Sequence, residues 1–461
     1  MLKQFTIDFQ ELAAHQYLRF DGKFWHTTKN LAVYNNILLK DIFTLVNGNS
    51  YTEYCTEEET SMPFIRISDL SFRYEINGDS LMYLDDSCEV SEDKKLKKDD
   101  LILATIGTVG KVNLARNFKG GTFSNNTTVL RIKNKNENNP YFYEKLFQSG
   151  LMQKYVYGIV SKKAQPNLQT YDLQNIKIPL FSREKQDQIV SQIEPIEKKI
   201  KELKSQIAPA QEVMNRVFAR EFGFDLKKFE ELKKVKNYYL DLASFADNKD
   251  IRSSVNFHRK SAQFVMSELK RVTNSKIKHF IAEPIVLGAS ISPADFNKNG
   301  EYYYVSMATV KNYVLELDES QLVSNDYASM NLNKAMKQND IIMTRSGVSI
   351  GKFALVDDEF KGIFADFTMR IRLQNYNPLF AYYYFRSEYF QHLIHTNKKG
   401  LQNKNIFPSQ IQEFPMIDIS LEKQQKIVDE IKTELDKQEE MKKKINVERN
   451  RVDDIIEKAI K

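Results

Sequence analysis

An internal duplication limits the folds open to this chain more than any other feature of its sequence. The segment QPNLQTYDLQNIKIPLFSREKQDQIVSQI (165–193) has a counterpart in QNKNIFPSQIQEFPMIDISLEKQQKIVDEI (402–431). Further pairs follow in the same order, among them KKDDLILATIGTVGKVNLA (97–115) with KQNDIIMTRSGVSIGKFAL (337–355), and NPYFYEKLFQS (139–149) with NPLFAYYYFRS (377–387). Each copy has about 230 residues, far more than the roughly 20 to 50 of a solenoid repeat, so we predict a duplicated domain.

Each copy changes character once, from short apolar runs to a long amphipathic helix. Runs such as FIRIS (64–68) and TTVLRI (127–132), separated by Gly, Asn and Asp, predict strands and turns. In the first long helix, apolar residues alternate at spacings of four and three: Ile189, Ile193, Ile196, Ile200, Leu203, Ile207, Ala210, Met214 and Val217. This heptad pattern is typical of a coiled coil. Pro195 and Pro209 interrupt it, so we expect kinks or a new helix start at Pro195.

The second long helix repeats the pattern less regularly. Its apolar positions are Ile427, Ile431, Met441, Ile445, Val452, Ile455 and Ala459, and the polar residues in the same register are Glu434, Gln438 and Glu448. The first helix leads into the second domain and the second helix leaves it, so pairing them gives an antiparallel coiled coil. About 36 helical residues make a spacer of about 54 Å. Two unrelated surface helices are the simpler alternative, but the duplication copies helix and domain together. We therefore predict an α+β fold with two duplicated mixed α/β domains joined by this helix pair.

Composition excludes some classes of protein without selecting one. The net charge of +6 permits an anionic partner such as nucleic acid but does not require one. Cys55 and Cys88, the two cysteines, are too few for a disulfide framework or a four-ligand zinc site. No apolar run reaches the roughly 18 residues of a membrane-spanning helix, and the N-terminus lacks the layout of a signal peptide. We therefore expect a soluble, cytoplasmic protein.

Several short motifs resemble catalytic signatures but lack what the chemistry requires. GTVGKV (107–112) and GVSIGKF (347–353) have too few residues before Gly-Lys for a phosphate loop and no Ser or Thr after it, so we interpret them as hairpin turns with glycine at positive φ. NNPY (138–141) resembles a methyltransferase signature, but Asn followed by Pro is also a common helix cap. His392 and His395 have no further ligand at metal spacing, which favours an exposed helix face. We predict a binding protein with no catalytic or metal-ligating residues.

The repeated segment resembles the specificity subunit of Type I restriction–modification systems. The shared features are a Gln-x-Asn-Leu stretch, a short strand ending in Ile-Pro-Leu (178–180) or Phe-Pro-Met (414–416), and Glu-Lys-Gln-x-x-Ile-Val at the start of a heptad helix. The resemblance covers essentially the whole chain. The chain departs from the family in reading PLFSRE (179–184) and PMIDISLE (415–422) where Pro-Leu-Pro-Pro is common, and the region before Leu39 is long, which leaves the domain boundaries open.

The resemblance implies a sequence-specific, non-catalytic DNA-binding subunit that recognises a split target. Its expected organisation is a first target recognition domain (1–180), a first helical spacer (181–236), a second target recognition domain (237–415) and a second helical spacer (416–461). The implied partners are double-stranded DNA, two methyltransferase subunits and, in the full complex, restriction subunits. These subunits would carry out adenine methylation and cleavage with S-adenosylmethionine, ATP and Mg as their cofactors, and this chain would hold none. A Type I complex and a related Type II arrangement both remain open.

The duplication also suggests which residues contact DNA. Residues shared by the copies cannot distinguish two half-sites, so they are candidates for contacts that position the DNA: Lys111, Lys352, Lys162, Lys163, Lys398, Lys399, Gln165 and Gln402. Residues that differ are candidates for base contacts, because Arg and Asn pair with guanine and adenine edges: Arg66, Arg73, Asn126 and Arg345. In this alignment Arg345 corresponds to Ile106. Solvated surface lysines are the plain alternative for the lysines.

One alternative function remains open. With a modest net charge, the chain could be an adaptor or scaffold whose two domains bind protein rather than DNA, on a coiled-coil spacer. A steep fall of DNA affinity with salt would separate the two readings, since several phosphate contacts produce that slope. A nuclease or helicase fragment is disfavoured because the chain has no carboxylate–metal motif and no phosphate loop.

Overall fold

The structure, a computed structural model, describes residues 36–73, 75–78, 81–116, 118, 120–160, 165–240, 254–318, 320–400 and 404–460. The chain divides into two compact units. Unit 1 is Met1–Ser205 with Met441–Lys461, and unit 2 is Gln206–Glu440. Both units combine helices and sheets, and the predicted α+β class with a duplicated domain is confirmed. The boundaries expected at 180, 236 and 415 divide recognition domains from spacer helices. The two compact units divide the chain at other places, so these boundaries stay predictions.

Unit 1 contains the following described elements. Its strands are β1 (Asn36–Leu38), β2 (Phe43–Asn47), β3 (Cys55–Thr56), β4 (Pro63–Ile65), β5 (Met82–Leu84), β6 (Leu101–Ala104), β7 (Val112–Leu114), β8 (Thr122–Phe123), β9 (Thr127–Ile132) and β10 (Lys177–Pro179). Its helices are α1 (Leu39–Ile42), α2 (Pro140–Gln148), α3 (Gly150–Ile159), α4 (Thr170–Gln174) and α5 (Arg183–Ser205). Short 3-10 turns lie at Thr52–Tyr54, Ile67–Asp69 and Glu92–Lys94.

Unit 2 repeats part of this order and begins with three described helices that precede its strands. Its described strands are β11 (Val286–Leu287), β12 (Tyr302–Val305), β13 (Val310–Lys311), β14 (Val314–Leu315), β15 (Leu322–Val323), β16 (Ile341–Thr344), β17 (Phe353–Leu355), β18 (Gly362–Phe364) and β19 (Thr368–Ile371). Its helices are α6 (Ala210–Phe222), α7 (Leu226–Lys233), α8 (Lys260–Val272), α9 (Asn325–Met330), α10 (Pro378–Arg386), α11 (Glu388–Asn397), α12 (Pro408–Gln412) and α13 (Leu421–Ile460), whose last residues, from Met441, belong to unit 1. Its 3-10 turns are Ile277–His279, Pro293–Asp295, Leu332–Lys334 and Gly347–Ser349.

The two units build corresponding sheets. Unit 1 has an antiparallel sheet of order β2-β9-β6-β7 and a second sheet of order β3-β5-β4-β8, in which β4 and β8 are parallel. The corresponding orders in unit 2 are β11-β19-β16-β17 and β15-β12-β18, with β12 and β18 parallel. Strands β4, β6, β8 and β9 therefore correspond to β12, β16, β18 and β19. This pairing gives the loops between them structural counterparts in the other unit.

A buried ion pair recurs at matching positions of the antiparallel sheets. The guanidinium of Arg131 contacts the two carboxylate oxygens of Asp100 at 3.0 and 2.7 Å. The guanidinium of Arg372 contacts both oxygens of Asp340 at 2.7 Å. Both aspartates are almost fully buried, so removing either arginine would leave an unpaired charge at a cost of about 3–5 kcal/mol. The same interaction thus fixes the strand order at the same place in each unit.

In unit 1 the helix pair consists of α5 and the last part of α13, running antiparallel. Ile189 and Ile193 of α5 share a core cluster with Ile456 and Ile460 of α13. One and a half turns further along α5, Lys199 Nζ lies 2.5 Å from Glu448 Oε1, on an earlier residue of α13. Glu448 is 5% exposed, so this lysine satisfies a carboxylate that the heptad register places among apolar positions.

In unit 2 the helix pair consists of α6 and the first part of α13, also antiparallel. The Arg220 guanidinium donates to Glu430 Oε1 at 2.8 Å and the Arg216 guanidinium to Glu434 Oε1 at 3.3 Å. The apolar contact beneath these exposed pairs carries more of the stability: Met214, Val217, Phe218, Ile427, Val428 and Ile431. Of the kinks or new start expected at Pro195, the new start was wrong. Helix α5 continues through Pro195, and the break lies at residues 206–209, where Pro209 caps α6.

A buried glutamine recurs at the start of both long helices with the same contacts. Gln186 Oε1 accepts from the Asn139 amide at 2.7 Å, and its Nε2 donates to Phe181 O at 2.9 Å. Gln424 likewise accepts from the Asn377 amide and donates to Ile419 O, both at 2.8 Å. Asn139 and Asn377 cap the aromatic helices α2 and α10, with proline at the first helical position, which confirms the predicted cap. The glutamine thus joins the start of each long helix to the domain before it.

Replacing this glutamine should loosen its own domain and leave the other copy unchanged. Gln424→Ala leaves the Asn377 amide and the Ile419 carbonyl without their buried partner, which costs about 1–3 kcal/mol. We expect faster hydrogen exchange at Asn377, measured by mass spectrometry on peptides covering 374–382. Gln186→Ala should have the same effect at Asn139 and none at Asn377.

Lys426→Ala is the control for the Gln424→Ala experiment, because Lys426 lies on the exposed face of the same helix. Unchanged exchange at Asn377 in Gln424→Ala would contradict the role of the glutamine.

Candidate nucleic-acid interface

The strand order of unit 1 gathers five chain segments at one end of its sheets. The end of β2 pairs with the start of β9, and the end of β6 pairs with the start of β7. Hydrogen bonds join the segments that emerge there: Ser124 N to Ile65 O at 3.0 Å, Lys111 Nζ to Ile67 O at 3.0 Å, and Gly107 N to Pro166 O at 2.9 Å. We call residues 48–50, 66–69, 105–111, 124–126 and 165–167 the unit 1 loop face.

Unit 2 gathers the corresponding segments in the same way. The Ala365 amide donates to Val305 O at 2.9 Å, the Arg345 amide to Phe367 O at 3.1 Å, and the Gly347 amide to Lys404 O at 3.3 Å. We call residues 288–290, 306–309, 345–352, 365–367 and 398–406 the unit 2 loop face; residues 401–403 lie outside the described part. The backbone of the two faces is therefore built alike.

Each face contains a glycine hairpin that a glutamine holds in place. Gly110 has φ +98° and Gly351 φ +87°, as the interpretation of the Gly-Lys motifs as hairpin turns requires. Gln153 Nε2 donates to Gly110 O at 2.7 Å, and Gln391 Nε2 donates to Gly351 O at 2.9 Å. The positive φ of Gly110 favours glycine there, and a Cβ would lie 2.8 Å from Gln153 Oε1 and displace the end of that side chain. The hairpin interpretation is confirmed, and the phosphate-loop alternative gains no support.

Lys111 and Lys352 follow these glycines at equivalent positions. The Ala104 amide donates to Lys111 O at 2.8 Å, and the Thr344 amide donates to Lys352 O at 3.0 Å. The Lys111 ammonium group donates one hydrogen bond to Ile67 O. For Lys352, the described residues provide no hydrogen bond or ion pair to the ammonium group. Both side chains are half-buried at the edge of a loop face, where an ammonium group can reach a phosphate.

Arg66 lies on the unit 1 loop face in a fixed orientation. Its Nε donates to Asp69 Oδ2 at 3.2 Å and its Nη2 to Asp69 Oδ1 at 3.1 Å. Asp69 is 1% exposed, whereas about a third of the Arg66 side chain is open to solvent. A guanidinium held this way keeps its planar donor set ordered before a base or phosphate arrives. The equivalent residue in unit 2 is Ser306, whose amide donates to Thr309 Oγ1 at 3.2 Å as the Arg66 amide donates to Asp69.

Arg345 lies on the unit 2 loop face, but its counterpart is Thr105 and not Ile106. The Arg345 carbonyl accepts from the Ile406 amide at 3.0 Å, as the Thr105 carbonyl accepts from Leu168 at 2.8 Å. The sequence pairing with Ile106 was one residue out of register, since the ungapped pairing of 97–115 with 337–355 already sets Thr105 opposite Arg345. The Arg345 guanidinium donates to Asp366 O at 3.0 Å and to Asn405 Oδ1 at 3.4 Å, and it is partly exposed.

Two further candidates lie on the unit 1 loop face. Asn126 is half-buried, and its carbonyl accepts from the amides of Thr105 and Ile106 at 3.0 and 3.2 Å. Gln165 is exposed, next to Pro166 on the same face. The structure therefore brings Arg66, Lys111, Asn126 and Gln165 together in one region of unit 1.

Arg73 is not brought to this region. Its guanidinium lies 3.3 Å from Asp453 Oδ2 of α13, beside a small cavity of about 40 Å³ lined by Lys145, Glu197 and Arg449. Asp453 Oδ1 also accepts from the Gly150 amide at 3.2 Å, at the start of α3. The base contact expected of Arg73 thus finds no support, because this arginine takes part in packing the helix pair against the domain.

The lysine doublets are only partly within the described residues. Lys162, Lys163 and Gln402 lie outside them. Lys399 pairs through its backbone with Asn405 on the unit 2 loop face, with the two N–O distances both at 2.7 Å. Burial lowers the pKa of Lys398, and the positive charge of Lys404 acts in the same direction. Lys398 and Lys404 therefore lie close together on this face, where an anionic partner would relieve their repulsion.

Other observations bear on alternative functions. Among the described residues, no group of three or more His, Cys, Asp and Glu side chains is arranged to hold a metal ion. His395 is exposed as expected, but His392 is partly buried, with its Nε2 3.0 Å from Ser261 Oγ. Burial lowers the pKa of His392 to about 4. None of the described helices has the length and apolar character needed to cross a lipid bilayer.

Sequence reasoning missed three kinds of residue at the faces. Gln153 and Gln391 recur in both copies, and that recurrence could have identified them. Asn167 and Asn405 form matching bridges to Ile106 and Ser346, and they too recur. Phe367 has no such signal, because its counterpart is Asn126 and only the structure shows that it is exposed.

The family of the chain follows from comparison of its sequence. The sequence model of the Type I restriction modification DNA specificity domain matches it twice, over residues 34–209 and 282–449. These matches cover most of the chain and both units, so the chain belongs to this family of DNA specificity domains. No curated protein matches it.

Three solved structures match the chain at low identity. One is the crystal structure of a Type-I restriction-modification system S subunit from M. genitalium, with 13% identity over 93% of this chain and 96% of that chain and a TM-score of 0.42. A second, described as the structural basis of complex assembly and conformational transition of the type I R-M system, has 14% identity, coverage of 93% and 98%, and a TM-score of 0.49. The third, the HsdS subunit from Thermoanaerobacter tengcongensis, has 14% identity, coverage of 92% and 96%, and a TM-score of 0.32. The family assignment rests on the sequence model.

Lysine and arginine on the unit 2 loop face should affect DNA binding differently. Lys352→Ala removes a charge that cannot distinguish bases, so cognate and unrelated duplexes should both bind more weakly, and the slope of log K against log salt should fall by about 0.9. Arg345→Ala should weaken binding to cognate DNA by about 1–3 kcal/mol and leave unrelated DNA almost unaffected. Fluorescence anisotropy of the full chain at several salt concentrations measures both effects.

Lys426→Ala, which removes an exposed lysine outside both faces, serves as the charge-matched control. Equal losses for Lys352→Ala and Lys426→Ala would contradict a phosphate contact at Lys352, and unchanged cognate affinity in Arg345→Ala would exclude a DNA contact there.

Proposed function

We propose that this chain is the non-catalytic specificity subunit of a restriction–modification complex and recognises a split DNA target. Each loop face contacts one half-site, and the sequence between the half-sites is not read. The subunit directs adenine methylation and cleavage by partner subunits, which act with it in the cytoplasm. Membership of the DNA specificity family supports the DNA-reading part of this proposal.

One observation supports the proposal most strongly: the two faces share a backbone but differ in the side chains they present. Arg66, Thr105 and Asn126 of unit 1 correspond to Ser306, Arg345 and Phe367 of unit 2. Each face thus offers an arginine from a different loop. A pair of domains with identical partners would have no reason to diverge at these three positions while keeping the hydrogen bonds around them. Two different half-sites account for the difference.

The conserved part of the faces suits contacts with the DNA backbone. Lys111 and Lys352 occupy the same position after a glycine whose carbonyl is held by a glutamine side chain. Phosphate contacts from equivalent positions set the same orientation of each domain on DNA and carry no sequence information. The adaptor alternative explains neither this equivalence nor the neighbouring positive charges of Lys398 and Lys404.

The partners and cofactors of this proposal are those that the resemblance implied. The methyltransferase subunits, two in the complete enzyme, would bind S-adenosylmethionine, and restriction subunits would use ATP and Mg. This chain contributes the choice of target and the gap between half-sites, which its spacer helices set.

Mapping of methylated adenines tests the proposal. The full chain is expressed with the methyltransferase subunit encoded beside it, where its genome provides one, in a host without adenine methylation of its own, and the methylated sites are read by sequencing. We expect one split motif with a fixed gap and two different half-sites, because the loop faces differ.

The absence of any motif, together with no copurifying methyltransferase, would favour the adaptor function. A motif with two identical half-sites would contradict the separate reading by the two faces.

A further inference from the structure

Phe367 is a large apolar side chain in an unusual place. It lies at the tip of the turn between β18 and β19, on the unit 2 loop face, and is 49% exposed. The residues on both sides of it are buried or polar: Thr368 is fully buried, and Asp366 is half-buried. An apolar ring held half in water gains free energy when a partner covers it.

The turn that carries Phe367 is fixed by hydrogen bonds and not by the ring. The Thr368 amide and hydroxyl both donate to Ala365 O, at 2.9 and 2.7 Å. The Asp366 amide donates to Ala289 O at 3.2 Å, and its carboxylate accepts from Ser290 Oγ at 3.0 Å. The phenyl ring is therefore not needed to hold the turn, which leaves its exposure unexplained by folding.

Phe367 and Arg345 form a pair. The guanidinium carbon of Arg345 lies 5.9 Å from the centre of the Phe367 ring, within the range of a weak cation–π contact. The bonds of Arg345 to Asp366 O and Asn405 Oδ1 fix the guanidinium beside the ring. The pair therefore presents a donor group and an apolar surface side by side.

The chemistry of this pair matches two adjacent base edges in the major groove. An arginine donates to the O6 and N7 acceptors of guanine, and an apolar side chain contacts the 5-methyl group of thymine. Unit 1 has Thr105 and Asn126 at these positions, so it offers no equivalent apolar surface. The two faces therefore differ in these side chains, while the backbone that carries them is alike.

We propose that Phe367 contacts the 5-methyl group of a thymine in the half-site read by unit 2, next to a guanine contacted by Arg345. Phe367 is thus a specificity-determining residue. This inference rests on the proposed function and adds the base class that unit 2 selects.

Removal of single methyl groups from the DNA tests the inference. Once the target is known, each thymine of the motif is replaced in turn by deoxyuridine, which pairs alike and lacks only the methyl group. Affinity is measured by fluorescence anisotropy with the full chain in complex with its methyltransferase. We expect one replacement, beside the guanine whose recognition Arg345→Ala relaxes, to weaken binding by about fourfold, as expected for one buried methyl group. Phe367→Ala should bind thymine and deoxyuridine duplexes equally, and Phe367→Leu should keep part of the preference.

Two controls separate this contact from a loss of folding or of function. Leu421→Ala removes a similarly exposed apolar side chain (54%) from the start of α13 and should keep the full preference for thymine. Phe367→Ala should also keep its discrimination at the half-site read by unit 1.

A second half-site without thymine, or a preference that survives Phe367→Ala, would overturn the inference and leave the proposed function standing. A wild-type complex with no preferred motif would instead contradict the proposed function.

Discussion

The hydrogen bonds of one buried glutamine couple each long helix to the domain that precedes it. Gln186 and Gln424 each bridge the amide of a helix-capping asparagine and a carbonyl at the start of the long helix. Both glutamines are almost fully buried, so no water can replace these contacts without cost. These matching contacts account for the recurrence of the glutamine in both copies of the repeated segment.

Beyond this junction, the two units share the buried contacts that hold their strands and hairpins and differ in the side chains exposed on their loops. The ion pairs Asp100–Arg131 and Asp340–Arg372 fix equivalent strands, and Gln153 and Gln391 fix equivalent hairpins. The turn tips beside them carry different side chains. A rigid scaffold with variable tips suits recognition, because the contacting groups are ordered before the partner arrives and lose little freedom on binding.

Much of the fold could be predicted from the sequence, since duplication and periodicity are local signals. The strands around DLILATIG, the Asn-Pro helix caps and the glycine hairpins all followed from residue types at fixed spacing. The continuous helix through Pro195 did not, because packing in the core of unit 1 overrides the local preference. The counterpart of Arg345 was wrongly assigned as Ile106, although the ungapped pairing of 97–115 with 337–355 places Thr105 there and the backbone hydrogen bonds agree. The ion pair of Arg73 could not be predicted either, because its partner, Asp453, lies 380 residues away in the sequence.

Crosslinking from matching positions of the two faces would test most directly whether they read different half-sites. A photoactivatable phenylalanine analogue is placed at Asn126 in one protein and at Phe367 in another, and the crosslinked nucleotides are mapped on the cognate duplex. We expect position 126 to crosslink within one half-site only and position 367 within the other only. Crosslinks from both positions to the same half-site, or to neither, would contradict the separate reading of two half-sites by two equivalent loop faces.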